Sequence, residues 1–139
     1  MTSTRSPNLQ PLSMLPMIAG VIHDQLAGLQ EQLDNLKRAH GHPGAMDDAT
    51  IDRVLRVFGE TKQLLPVFDR QIAHWRSCSP SAGQKEELDR LDAQLAKSHA
   101  AIDAILALAK EIKPQTIEAM LSGLDVEFGL AAIQGKVRK

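Results

Sequence analysis

The sequence predicts an all-α fold, an antiparallel helical bundle of three long helices plus a shorter C-terminal helix. Apolar residues recur at spacings of three and four over three long stretches, which is the periodicity of amphipathic helices. Segments rich in Gly, Pro and Ser separate these stretches, and no segment alternates polar and apolar residues as a strand does. Because a helix with an apolar seam is marginal alone in water, the helices must pack together.

The first helix is predicted to be capped by Ser13 and to end near Ala39. Pro16 falls in its first turn, where the missing N–H of proline costs nothing. Residues 1–13 are polar and contain two prolines, so we expect a flexible N-terminal arm. Two successive steps of four make a stutter in the apolar stripe, which consists of Leu15, Ile18, Ile22, Leu26, Leu29, Leu33 and Leu36.

The second helix is predicted to follow a turn at residues 40–44 and to be capped by Asp47 or Asp48. Pro66 lies inside it and removes a backbone hydrogen bond, so a kink or a break is expected there. The seam alternates steps of three and four and consists of Ile51, Val54, Phe58, Thr61, Leu65, Phe68, Ile72 and Trp75.

The third helix, residues 84–113, has the longest uninterrupted pattern and contains no Gly or Pro. Ser79 before Pro80 predicts a helix start, and Lys113 before Pro114 predicts the end. Its seam has one polar member and consists of Leu88, Leu91, Leu95, Ser98, Ile102, Ile105, Ala109 and Ile112.

The last helical stretch is shorter, and Gly123 followed by Asp125 predicts a bend or restart within it. We therefore predict one helical-bundle domain over residues 14–135 and a basic tail over residues 136–139. The apolar face of this stretch consists of Ile117, Met120, Leu121, Leu124 and Phe128.

A polar layer is predicted where the second and third helices pair. Folding the chain at residues 77–83 brings Thr61 level with Ser98, and folding the first helix back brings Gln25 to that level. His99 follows Ser98 directly. We expect the hydroxyls to bond to carbonyls of their own helices, so that the layer sets the register. The alternative is a small polar pocket with Gln25, Thr61, Ser98 and His99 as ligand contacts.

The end of the bundle that carries Ile72, Trp75 and Leu88 is predicted to be thinly covered by one chain. Leaving these side chains exposed would cost roughly 1.5–3 kcal/mol each. A second copy is the simplest cover, so we predict a homodimer with these residues in an interaction surface.

Composition excludes several classes of protein. A net charge of −1 over 139 residues favours neither nucleic acids nor cations, and the single cysteine excludes an intrachain disulfide. No apolar run approaches the roughly 20 residues of a membrane-spanning helix. The N-terminal stretch makes a poor signal peptide, so a cytoplasmic protein without membrane contact is expected.

Motifs for catalysis and metal binding are absent from the sequence. It has no Glu-x-x-His pair, no Gly-x-Ser-x-Gly and no Gly-rich phosphate loop. His74 and Cys78 are four residues apart, but no second pair completes a zinc site. We therefore predict no catalytic, cofactor-binding or metal residues, and a protein that is not an enzyme.

These observations favour a non-enzymatic dimerisation or adaptor module that binds an unidentified protein partner. The alternative is a bundle that binds a small ligand or a metal through the polar layer. A third hypothesis is a DNA-associated regulator that uses the basic C-terminal tail, Lys136, Arg138 and Lys139, although the overall charge argues against nucleic acid.

Overall fold

The structure, a computed structural model, describes residues 9–122, and over this range the fold is all-α as predicted. Its long helices are α1 (Leu15–His40), α2 (Asp48–Arg76) and α3 (Ala82–Ile112). One 3₁₀ turn, Leu12–Met14, precedes α1, and another, Lys113–Gln115, follows α3. Residues 117–122 are helical again. Most of the last predicted helix and the basic tail lie outside the described residues.

Side-chain caps begin two of the helices. Asp47 caps α2 by accepting a hydrogen bond from Thr50 N at 2.8 Å, and this bond lowers the pKa of the Asp47 carboxyl. Ser81 and Gln84 form a capping box at the start of α3, so the predicted start at Ser79 is wrong. The N-cap of α1 is Met14, without a side-chain cap, and not Ser13.

Pro66 does not break α2, which continues from Asp48 to Arg76. The proline itself is exposed, whereas Leu65 is fully buried and Phe68 packs against the core. Core contacts on both sides of the proline stabilise the two halves of the helix, and this packing offsets the lost backbone hydrogen bond.

The central element is α3, whose backbone packs closely against both α1 and α2, whereas the backbones of α1 and α2 lie further apart. At one end His40 of α1 pairs with Glu111 of α3 at 2.9 Å. At the other end Leu15 and Gly83 line one groove, so these two helices run side by side in the same direction. The gap between α1 and α2 therefore lies opposite α3.

Ion pairs between α2 and α3 define the register of the two helices. From one pair to the next, the residue number decreases in α2 and increases in α3, so the two helices are antiparallel. The pairs are Arg76 with Asp89 and Asp92, Asp69 with His99 at 2.9 Å, Lys62 with Asp103 at 2.9 Å, and Asp52 with Lys113.

This register differs from the predicted one by about one heptad. Ser98 adjoins His99 and so lies near the level of Asp69, whereas Thr61 adjoins Lys62 and lies near the level of Asp103. Thr61 and Ser98 are thus about 10 Å apart along the helix axes. The predicted juxtaposition is wrong because a shift by a whole heptad places apolar positions opposite apolar positions again.

Candidate functional site

The end of the bundle around Trp75 is not a bare surface. Trp75 and Leu88 are 0% exposed and Ile72 is 1% exposed within a single chain. The predicted interaction surface at these three residues is therefore wrong. Since they are already buried in one chain, their burial gives no reason to expect a second copy at this end.

The cover is supplied by the segment before α1. Trp75 Nε1 donates a hydrogen bond to Gln10 O at 2.8 Å, and Gln71 Nε2 donates to the same oxygen at 3.1 Å. Gln10 N in turn donates to Gln71 Oε1 at 2.7 Å. Leu12 packs against the core as well. The last residues of the predicted N-terminal arm thus contact the end of α2 through Gln10 and the core through Leu12; residues 1–8 lie outside the described part of the chain.

The hydroxyl groups of the predicted polar layer bond within their own helices, as expected. Thr61 Oγ1 donates to Val57 O at 2.9 Å, and Ser98 Oγ donates to Gln94 O at 3.0 Å. Each bond satisfies a hydroxyl that is wholly or partly buried. Because the two residues lie on different levels, they do not form one layer.

The other two residues of that predicted site also separate. His99 Nε2 lies 2.9 Å from Asp69 Oδ2 in a half-exposed pair between α3 and α2. Gln25 Oε1 is buried and has no hydrogen-bond partner among residues 9–122, a property that it shares with the side-chain oxygens of Gln94 and Gln115. The register and these contacts give no shared pocket for Gln25, Thr61, Ser98 and His99.

His74 and Cys78 do come together at the end of α2. The Cys78 sulfur lies 3.7 Å from His74 Nε2 and is exposed. Within the described range no group of three His, Cys, Asp or Glu side chains is arranged to hold a metal ion, so this pair gains no third ligand there.

An exposed apolar strip follows α2 on the side of the gap to α1. Leu64 is 55% exposed, and Val57 and Val67 are each 36% exposed. Val57 and Leu64 are one heptad apart and lie on the flank of α2 away from the residues that pair with α3. Val57 also lines a groove of about 210 Å³ between the helices, together with Gln32 of α1.

Positive charge accompanies this strip. Arg53 and Arg56 make no ion pair with any residue the structure describes, and the exposed Glu60 lies one turn before Leu64. The opposite flank of α2, in contrast, is paired with α3, and the hydrogen bonds that Arg76 donates to Asp92 and Asp89 raise the pKa of Arg76 there. We call the strip and its arginines the open face of α2: Arg53, Arg56, Val57, Leu64 and Val67.

The outer surface of α1 also exposes apolar side chains, here beside acidic ones. Met17 is 56% and Val21 45% exposed. Asp24, Glu31 and Asp34 are exposed and form no ion pair within residues 9–122. The outer surface of α1 is therefore apolar and acidic from Met17 to Asp34, and the basic residues Lys37 and Arg38 follow in its last turn. Both surfaces consist of residues outside the apolar seams, so the seam pattern of the sequence gives no sign of them.

The described residues define an all-α protein in which two helices flank a central third and leave a charged, partly apolar face uncovered. No protein-family model matches the chain, and neither a curated protein nor a solved structure matches it. The candidate site therefore depends on its own geometry.

One helical stretch, Leu12–His40, is long and apolar enough by length and composition to cross a membrane. Length and composition alone are weak evidence for a membrane-spanning helix, because the core helix of a soluble protein and a signal sequence near the N-terminus can have the same length and composition. In this fold the stretch buries its apolar stripe in the core, with Leu15, Ile22, Leu29 and Leu36 each at most 2% exposed.

Proposed function

We propose that this chain is a non-enzymatic helical interaction module that binds an amphipathic helix through the open face of α2. The proposal retains the adaptor function expected from the sequence and moves the contact surface away from Trp75. We also propose that the three long helices form an antiparallel bundle that a C-terminal helix completes. The proposed location of the protein is the cytoplasm.

The observation that carries the proposal is the exposure of Leu64 on the flank of α2 away from α3, in a strip that begins with the unpaired Arg53 and Arg56. Leu64 is 55% exposed in the isolated chain. Complete burial of a leucine side chain contributes roughly 1.5–3 kcal/mol, and a partner that covers Leu64 would gain part of this free energy. Arginine is enriched at protein interfaces, where its side chain covers apolar surface and pairs with carboxylates. A partner helix with an apolar stripe and acidic flanks fits this surface.

Affinity purification from the native cell tests the proposal with two matched variants. Leu64→Glu introduces a charge into the open face, and Leu121→Glu makes the same change at another side chain that is 55% exposed. We expect a partner that the wild type and Leu121→Glu both retain and that Leu64→Glu loses. Circular dichroism of the three proteins should be alike, since both substituted side chains are exposed.

If all three proteins retain the same set of partners, or none at all, the open face is not a binding surface. If Leu121→Glu loses the partner and Leu64→Glu retains it, the binding surface lies at residues 117–122 and not on α2.

A further inference from the structure

We infer that the open face of α2 is covered by the C-terminal segment of the same chain, residues 123–139, which an outside partner must displace. The inference rests on the proposed function, because it concerns the regulation of the same face. Residues 123–139 lie outside the described residues. Three properties support them as the occupant: the place where residue 122 lies, the length of chain that follows it and the order of the charges in that chain.

The described chain ends beside the loop that joins α1 to α2. Ile117 N donates a hydrogen bond to Met46 O at 3.0 Å, and Asp48 N donates one to Glu118 Oε1 at 2.8 Å. The helical residues 117–122 are thus held at the first turn of α2. Because the loop spans the gap between α1 and α2 at this end, the chain after residue 122 starts beside the end of the gap.

Residues 117–122 also present an apolar surface that no described residue covers. The side chains are 43–55% exposed, and their spacing of three and four puts them on one helical face. In the sequence this face continues through Leu124 and Phe128. Packing of this face on the strip that contains Leu64 would bury both, and the covalent connection favours the segment over an outside helix by an effective concentration on the order of millimolar. The exposed side chains are Ile117, Met120 and Leu121.

The length of the C-terminal segment fits the open face. Leu64 lies about 24 Å from Asp48 along the axis of α2. Residues 123–139 would span about 25 Å as one helix. A helix that starts beside Asp48 and follows the gap therefore reaches Leu64.

The charges that line the gap change sign along it. Near the loop both sides are basic, with Arg53 and Arg56 on α2 and Arg38 on α1. Counting along the helices from the ion pairs that α3 makes with His40 and Asp52 puts Arg38 level with Arg56. None of the three arginines makes an ion pair within residues 9–122. Further from the loop the exposed charges without an ion pair in this range are acidic, Glu60 on α2 and Glu31 on α1.

The charges of the C-terminal segment have the complementary order. Asp125 and Glu127 come first, and in a helix they lie on opposite flanks of the face that contains Leu124 and Phe128. With this face against the gap, one acid faces α1 and the other faces α2, so each meets an arginine. The later charges of the segment are all basic and lie towards the acidic part of the gap: Lys136, Arg138 and Lys139.

Cross-linking within the full chain tests the position of the segment. Val57→Cys and Ala131→Cys together, in a Cys78→Ser background, should react with a short bifunctional cross-linker, because a helix along the gap brings these positions to about the same height. Ala107 is exposed on α3 at about the height of Val57, so Ala107→Cys with Ala131→Cys is the matched control. The first pair should give the intramolecular product about tenfold faster or more.

Phe128→Glu should release the segment. In the cross-linking protein it should slow the reaction about tenfold, because a charge replaces the largest apolar side chain of the docked face. The emission of Trp75, at the far end of α2, should stay unchanged and so show that the bundle is folded. A labelled synthetic peptide of residues 117–139 should bind the full-length Phe128→Glu protein about tenfold more tightly than the wild type, whose face is occupied. Adding Leu64→Glu should abolish this binding.

Equal cross-linking rates for the two cysteine pairs overturn the inference. A cross-linked product of twice 15.2 kDa overturns it too, because the segment then reaches a second copy. Equal affinity of the peptide for the wild type and Phe128→Glu would show that the segment does not cover the face. If cross-linking fails while Leu64→Glu still loses a cellular partner, the proposed function stands with an uncovered face. If cross-linking succeeds and Leu64→Glu loses no partner, the segment docks and the proposed function fails.

Discussion

Trp75 Nε1 and Gln10 O are joined by a hydrogen bond of 2.8 Å that ties the segment before α1 to the end of α2. Gln71, one turn earlier in α2, holds the same residue, with one hydrogen bond donated and one accepted. The indole is 0% exposed as a result. A surface that the sequence pattern leaves bare is thus covered by residues with no helical periodicity.

Replacing Gln71 by alanine should loosen this cover. The change removes two hydrogen bonds to Gln10, so we expect unfolding to become easier by about 1–2 kcal/mol. Trp75 is the one tryptophan of the chain, so its emission should shift to longer wavelength and acrylamide should quench it more. Gln63→Ala, an exposed change on the same helix, is the control. Unchanged emission in Gln71→Ala would mean that Gln71 does not hold the segment.

Ser98→Ala should have little effect on stability. The hydroxyl bonds to a carbonyl of its own helix, and alanine has the higher helix propensity, so a change of about 1 kcal/mol or less is expected in chemical denaturation. Ile102→Ala, one turn further along and 0% exposed, should cost about 2–5 kcal/mol because it leaves a cavity. A large loss in Ser98→Ala would instead reveal a polar contact of Ser98 beyond its own helix.

Two glycines should respond oppositely to alanine. Gly28→Ala should raise the free energy of unfolding of the monomer by about 0.5–1 kcal/mol, because the site has room and alanine favours helix. Gly44 has φ +86° and its Cβ would lie 3.3 Å from Met120 Sδ, so Gly44→Ala should destabilise by about 1 kcal/mol or more. Thermal unfolding at low protein concentration measures both; equal shifts in one direction would contradict the geometry.

The Asp47 cap should make the free energy of unfolding depend on pH in the acidic range. Its pKa is lowered in the folded chain by the hydrogen bond from Thr50. A carboxyl with a lowered folded pKa contributes stability above its unfolded pKa of about 3.9 and loses it as the pH falls through the folded value.

Asp47→Asn retains a capping side chain without a titratable group. Its unfolding free energy should therefore decline less than that of the wild type below about pH 4. Denaturation series at several pH values measure the difference, and parallel curves for the two proteins would show that Asp47 does not contribute to the acid dependence.

The interhelical register can be read by cross-linking. Cysteines at Asp69 and His99 should react with a short bifunctional cross-linker in a Cys78→Ser background, because the ends of these two side chains meet. Cysteines at Thr61 and Ser98 should not, since about one heptad separates their levels. Efficient cross-linking of the second pair would restore the register expected from the sequence.

The sequence by itself determined the all-α fold, the approximate extent of each long helix and the members of each seam, because helical periodicity is local. Ile72 and Leu88 were correctly assigned to apolar seams even though their pairing was not. The seams repeat every heptad, and apolar contacts are almost equally satisfied after a shift of one repeat, so they carry little information on register.

Tertiary structure alone decided the rest. Ion pairs such as Lys62 with Asp103 select one register, and the backbone of Gln10 closes the end over Trp75 through contacts between distant positions. The placement of α1 and α2 on separate sides of α3 leaves Leu64 exposed. Each of these features depends on how elements meet in space, where side-chain hydrogen bonds and charges choose between arrangements that the apolar pattern does not distinguish.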